Sequence, residues 1–455
     1  MEFHSINPAN GEAFDTYTVL TDAELSERIE KSALANKHWG QLDLDTRIQA
    51  VLNLAKVLEE DKSRLARLIS LEMGKLLEDS EKEIDKCVAS CRHFAATIEE
   101  QLADRVTVTE AIKSYIAIRP LGTVLGIMPW NYPFWQTIRF AITALLVGNT
   151  ILLKHSENVC GCALEIEKLF ERSGFPEGVF QTLIIEISQI EQVVAHPAVQ
   201  GVALTGSERA GKAIGQLAGK YLKPSVLELG GSDPYIVLDD ADLDLAVRTC
   251  ATARVKNAGQ TCIAAKRLIV TPGIYKDFAA TFEDIFWDFP FGDPMLESSG
   301  MGPLAREDLR ANLQRQVDLS VQTGAKLVMG GQIPEGPGFF YPATMLTDVT
   351  PGMPIFDDET FGPVVPLIQA KDTEDAIRLA NASRYGLGAA IFSSDTTCAE
   401  EIARNQLEAG SCFVNAQVAS SYVAPFGGVK SSGYGRELGE FGFLSFANVK
   451  NVYVD

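Results

Sequence analysis

Reactive side chains are thin in this chain. Histidine occurs five times in 455 residues (His4, His38, His93, His155, His196), with no HExxH or HxH pattern among them. The eight cysteines (Cys87, Cys91, Cys160, Cys162, Cys250, Cys262, Cys398, Cys412) are too sparse for a disulfide framework and lack zinc-finger partners at the usual spacing. No metal site is expected. Positive charge is also short: 40 Lys and Arg against 60 Asp and Glu leave a net charge of −20. A surface that acidic repels phosphate backbones and anionic lipid, so nucleic acid and bare membrane are poor partners, although a local basic pocket could still take a small anion. The longest apolar run, Phe140 to Val147, stops at Gly148-Asn149, far short of a membrane span. The opening MEFHSINPANGEAF has no basic segment leading into an apolar core, so no signal peptide is expected. A reduced, cytoplasmic protein is the expectation.

What remains is a globular balance long enough for two or three domains, which needs no disulfide or metal to hold it. From about Asp22 to Ala103 apolar residues recur at three- and four-residue spacing, broken at Met73-Gly74-Lys75, and predict helix. YIAIRPLGTVLGIM then alternates around a Pro-Leu-Gly turn and suggests a hairpin. TILLKH, GVFQTLI, GVALTG and SVLELGG read as short buried strands with helical segments between them, an order that argues for a parallel sheet covered on both faces. After Gly231 the pattern restarts, with strands at KRLIV, AKLVMGG, VVPLIQA, AAIFSS and SCFVN, as a second α/β unit would. The terminal FLSFANVKNVYVD suits an edge strand or a subunit-contact arm.

Three short segments could carry chemistry. Cys262 follows the polar loop Lys256-Asn257-Ala258-Gly259-Gln260-Thr261 at an expected junction of two helical segments, although most free cysteines are inert core fillers. Glu228 lies between Leu227 and Leu229 at the end of an apolar strand, where an unpaired carboxylate is costly and its pKa can rise toward that of a general base. The alternative is a carboxylate paired with a lysine or turned to solvent. Asn131 sits between Pro129 and Pro133, and its amide could donate to a developing oxyanion, or merely belong to a rigid aromatic turn.

Taken together, PWNYP, LELGGSDP, GQTC, ETFGPV and PFGGVKSSGYGRE stand in the order and at the distances of the aldehyde dehydrogenase superfamily, which the chain resembles over nearly its whole length. The resemblance implies an α/β fold of that type. A Rossmann-like cofactor domain would comprise residues 1–102 and 123–230, a catalytic domain residues 231–435, and a small β oligomerisation element residues 103–122 and 436–455. Cys262 would attack the aldehyde carbon, Asn131 and the Cys262 N–H would hold the oxyanion, and Glu228 would activate water to hydrolyse the thioester. On the cofactor side, Gly206 and Ser207 would meet the pyrophosphate, Glu359 and Phe361 the nicotinamide ribose and ring, and Trp130, Lys154, Ser156 and Glu157 the adenosine side. A carboxylate at position 157 repels a 2′-phosphate, so NAD is favoured over NADP. Arg139, Trp135, Ser420 and Ser421 would line the substrate channel, with Arg139 suited to a carboxylate at the far end of the substrate. That set resembles the branch of the family acting on succinic semialdehyde. The alternatives are another ω-carboxylated or a broader aliphatic aldehyde, a thiol esterase, or a non-catalytic protein on the same fold. A homodimer or homotetramer is expected.

Overall fold

A computed structural model describes residues 1–455. Four helices, Asp22–Trp39, Leu44–Glu60, Lys62–Met73 and Leu77–Leu102, fill the stretch with helical periodicity. The first begins with a capping box, in which the Thr21 hydroxyl accepts from Glu24 N–H at 3.3 Å and the Glu24 carboxylate accepts from Thr21 N–H at 2.8 Å. Gly74 ends the third at φ +80°, where a side chain would also collide with Pro303.

Two largely parallel sheets form the body. The first runs Gly433–Tyr434, Ser225–Glu228, Val199–Thr205, Thr123–Met128, Thr150–His155, Phe180–Thr182, and only its first edge strand is antiparallel. The second runs Lys326–Met329, Thr344–Thr347, Val364–Gln369, Arg267–Val270, Pro234–Val237, Gly388–Phe392, Ser411–Val414, again with one antiparallel edge. Strands Thr150–His155 and Arg267–Val270 are buried at every position, because helices cover both faces.

The expected hairpin does not form. Lys113–Pro120 pairs with Ala447–Val454 and Arg105–Val106 in a separate three-stranded antiparallel sheet, while Thr123–Met128 lies at the centre of the first sheet. Asn149 Oδ1 accepts from the N–H groups of Leu121 (2.8 Å) and Gly122 (3.0 Å), and this fixes the link so that the chain passes from one sheet into the other. An N-terminal hairpin, Glu2–Asn7 with Glu12–Thr18, lacks the apolar alternation that would announce it. It is fastened by the buried Glu72, whose carboxylate accepts from Ser5 and from Gly161 and Cys162 N–H at 2.8 Å each. No helix is long and apolar enough to cross a membrane.

The chain passes from the first sheet, whose strand Ser225–Glu228 ends at Glu228, into the second at Pro234 through Gly230-Gly231, and the carboxyl ends of the first sheet include Met128, Thr205 and Glu228. Ligands of open α/β sheets bind outside such carboxyl ends.

Candidate active site

Cys262 stands in the loop that leads into the second sheet. It follows the helix Leu243–Val255 and the turn Lys256–Gly259, but a strand, Arg267–Val270, comes after it, so the expected junction of two helical segments is instead a helix-to-strand loop. Three consecutive residues in that loop have left-handed backbones: Asn257 (φ 54°), Ala258 (φ 52°) and Gly259 (φ 74°). For a residue with a Cβ this costs about 1–3 kcal/mol, and the surroundings must impose it. They do so through buried polar anchors. Asn257 Nδ2 donates to the carbonyl oxygens of Asn131 (3.0 Å) and Gln260 (3.3 Å), and the fully buried Arg254 donates to Thr360 O (3.1 Å) and Gly362 O. A Cβ at Gly259 would overlap the Gly362 carbonyl.

The thiol is half-buried, and burial pushes its pKa up to about 11. Lys266 and Arg139 oppose that rise, Lys266 more strongly. Lys266, 1% exposed, donates to Thr261 O at 3.0 Å and to Cys262 O, and pairs with Glu359 Oε1 at 3.2 Å. No histidine lines the cavities on either side of the thiol, and His155, held neutral by burial with its pKa down at about 4, contacts Pro133 O instead. A Cys–His pair is therefore absent from the site.

Cys262 lies in the wall between two cavities. One, about 290 Å³, is lined by Pro129, Trp130, Asn131, Thr205–Ser207, Leu229–Gly230, Leu309, Asn312, Glu359 and Phe361. It thus gathers Trp130, Gly206, Ser207, Glu359 and Phe361. Ser207 caps the helix Glu208–Lys220, so N–H groups of its first turn face the cavity mouth. Glu359 accepts from Gly231 N–H at 3.1 Å, a Cβ at Gly230 would strike its carboxylate, and Phe361 packs edge-on against Trp130 at 5.7 Å. Lys154, Ser156 and Glu157 lie along and just beyond the adjacent strand, outside that lining. Lys154 is 8% exposed with a pKa lowered by burial, and Glu157 is the carboxylate whose charge opposes the shift. A desolvated ammonium, a helix N-terminus and the Glu359 carboxylate in the cavity wall fit a nicotinamide dinucleotide.

The other cavity, about 170 Å³, is lined by Trp135 and Arg139 together with Tyr132, Gln136, Thr261, Phe426 and Ser420. Ser421 lies outside it. Arg139 is 2% exposed, and its Nε stands 2.5 Å from Glu437 Oε2 while Nη2 donates to Thr205 Oγ1 at 3.3 Å. Glu228, also 2% exposed, ends its strand beside this pair, and neither carboxylate oxygen has a hydrogen-bond partner. Its pKa is raised well above the ordinary carboxylate range, first by burial and then by Glu437, with Arg139 and Arg436 pulling the other way. The carboxylate rests against Gly427, where a Cβ would meet Oε1 at 2.6 Å.

Sequence reasoning missed Glu437, although it closes the GYGRE block, and missed Lys266, whose only signal is a charge leading into the apolar strand RLIV. It also missed Glu83, which pairs with Lys75 in full burial and accepts from the Phe134 and Trp135 N–H groups (2.9 and 3.0 Å), capping the helix that carries Arg139. Nothing in a helical charge pattern distinguishes that glutamate from its exposed neighbours.

The sequence profile described as the aldehyde dehydrogenase family matches residues 1–452. The protein named succinate-semialdehyde dehydrogenase (NADP(+)) from Deinococcus radiodurans is 45% identical over 450 residues, covering 99% of this chain and 94% of that one. The succinate semialdehyde dehydrogenase (NAD(P)+) of Escherichia coli is 42% identical over 451 residues, covering 99% and 97%. Among solved structures, succinic semialdehyde dehydrogenase from Streptococcus pyogenes in complex with NADP+ superposes with a TM-score of 0.97 at 36% identity and 99% coverage of both chains.

Proposed function

The chain belongs to the aldehyde dehydrogenase family, and we propose that its substrate is succinic semialdehyde, which it oxidises to succinate. The observation that carries the substrate is the charge of the smaller cavity. In a protein of net charge −20, its lining offers Lys82, Lys86, Arg139 and Lys256 against Asp79 and Glu83. A short aldehyde ending in a carboxylate suits that lining, and two relatives bear the name of this activity.

The chemistry follows from the groups at the wall. Cys262 as thiolate attacks the aldehyde carbon to form a thiohemiacetal, whose oxyanion takes donors from Asn131 and the Cys262 N–H. An oxidised nicotinamide held by Trp130, Ser207, Glu359 and Phe361 would supply the acceptor for the hydride leaving that carbon. The resulting thioester is then hydrolysed by water that Glu228 deprotonates, which requires the carboxylate to leave its interior pocket and reach the thiol side. Thiolate is a good leaving group, so acyl transfer to water releases succinate and restores Cys262.

Glu157 favours NAD, because its carboxylate suits free ribose hydroxyls and repels a 2′-phosphate. Lys154 next to it, with no ion pair of its own, keeps NADP within reach, in line with the NADP(+) and NAD(P)+ in the relatives' names. The three-stranded sheet presents Val106, Val449, Tyr453 and Val454 to solvent and leaves the strand Ala447–Val454 unpaired on one side. A second copy of the chain would cover it, giving a homodimer or homotetramer. Eight unpaired thiols suit a reducing, cytoplasmic setting.

The test is reduced-nicotinamide formation by the purified protein with succinic semialdehyde, with glutarate semialdehyde and with butanal, each with NAD and with NADP. Preference for the four-carbon acid aldehyde supports the reading. Preference for butanal overturns it.

A further inference from the structure

The smaller cavity contains an ammonium without a counter-ion. Lys86 projects from the helix Leu77–Leu102 and donates to Ser420 O and Ser420 Oγ, both at 2.8 Å, with Nζ 4.2 Å above the Trp135 ring. Of the other cations lining it, Lys82 pairs with Glu78 and Arg139 with Glu437, while Lys256 makes no ion pair but is exposed to solvent. Lys86 has only neutral acceptors and an aromatic face. An ammonium has three N–H donors, and two are used. Lys86 is half-buried, and a partly desolvated cation gains more from an anion than one in open water does.

We propose that Lys86 is the specificity-determining group that receives the substrate's carboxylate, with the Ser420 hydroxyl beside it. Arg139, held by Glu437 and Thr205, contributes field rather than a vacant fork. The inference rests on the reading of the substrate as an acid-ended aldehyde. It places the carboxylate toward the helix Leu77–Leu102 and gives Ser420 the task of holding Lys86 in place before substrate arrives.

The electrostatic surroundings supply a second, independent readout. Burial, then Arg139 on the helix Pro133–Val147 and Lys256 from the turn before Cys262, bring Lys86 down to about 8, while Cys87 and Glu83 on its own helix pull upward. Asp79 and Lys82 complete the charged lining. In the vacant site Lys86 therefore loses its positive charge as pH rises past about 8, and a bound carboxylate delays that loss. Binding of an acid-ended aldehyde should weaken over that range, and binding of an uncharged one should not.

The experiment measures kcat and KM for succinic semialdehyde and for butanal with the wild-type protein at pH 7 and pH 9, and with Lys86→Met and Lys86→Arg at pH 7. For Lys86→Met, KM for succinic semialdehyde should rise about 30-fold or more, the lower end for removing one partner of a buried charge pair. Its kcat, and kcat/KM for butanal, should stay within about threefold, and Lys86→Arg should recover part of the loss. In the wild type, KM for succinic semialdehyde alone should climb between pH 7 and pH 9, a comparison that needs no substitution to fold. Equal losses for both aldehydes in Lys86→Met, or an unchanged KM for succinic semialdehyde, would overturn the assignment. If the wild type prefers succinic semialdehyde and Lys86→Met keeps that preference, Lys86 alone is refuted. If the wild type shows no such preference, the substrate reading falls and takes this inference with it.

Discussion

Asn131 Nδ2 donates to the carbonyl oxygen of Gln260 at 3.0 Å, which ties the oxyanion-side amide to the backbone two residues ahead of Cys262. A second link runs in reverse, from Asn257 Nδ2 to Asn131 O at 3.0 Å. The amide is thus set relative to the nucleophile before any substrate binds, and its second N–H is left for the oxyanion. Preorganised donors of this kind act on developing charge without reorganisation.

Asn131→Ala should therefore lower kcat by about 10²–10³, as removal of one oxyanion donor does elsewhere, with a smaller change in KM. Steady-state kinetics with the assigned aldehyde check this. A loss confined to KM would remove Asn131 from the transition state.

Cys262→Ala should abolish reduced-nicotinamide formation. Glu228→Gln should leave the first turnover and stall the second, giving a burst of about one equivalent per active site followed by turnover slowed about 10²–10⁴-fold. Stopped-flow absorbance separates the phases. A slowed reaction with no burst would put Glu228 in the oxidation step instead.

The raised pKa of Glu228 has a sign that can be followed. The base works only when ionised, so hydrolysis of the thioester should fail as pH drops through a value well above the ordinary carboxylate range. Glu437 is the second cause of that elevation, and it also holds Arg139, which acts oppositely. Glu437→Gln should accordingly move the acid limb of the kcat profile to lower pH. An unmoved limb would detach Glu437 from the base.

Cys262 should be slow to alkylate at neutral pH and accelerate toward about pH 11 in the cofactor-free protein. Lys266 is the strongest of the charges that favour the thiolate, so Lys266→Met should shift the iodoacetamide profile further toward alkaline pH. An identical profile would show that Lys266 serves only to hold the loop.

Glu157→Ser should raise kcat/KM with NADP by about tenfold, the equivalent of removing roughly 1.4 kcal/mol of repulsion, and lower it with NAD. Equal response of both cofactors would place the ribose elsewhere.

Much of this site is legible in the sequence because its chemistry lies in contiguous blocks. The turn Pro129–Pro133, the strand end at Glu228 and the loop ending at Cys262 each announce a local conformation, and the structure brings Asn131 and Cys262 to one cavity wall. The groups that tune them were not legible. Glu437, Lys266 and Lys86 act through partners from other elements: Glu437 faces Arg139 from the other end of the chain, and Lys86 meets Ser420 across 334 positions. The failed hairpin has the same origin. Pro120-Leu121-Gly122 has the composition of a reverse turn, but Asn149, far along the chain, decides its direction.

The position of Cys262 in a shared wall has a consequence for how such a protein can change over time. The two cavities share only Cys262 and Gln136 in their linings, so on the proposed reading aldehyde and dinucleotide would enter separate chambers. Replacements around Lys86 and Ser420 can retune which aldehyde is accepted without disturbing Glu157 or Lys154, and the reverse holds equally. Descendants of this architecture can inherit a fuel preference and an electron-carrier preference as two separate traits, joined by one sulfur atom.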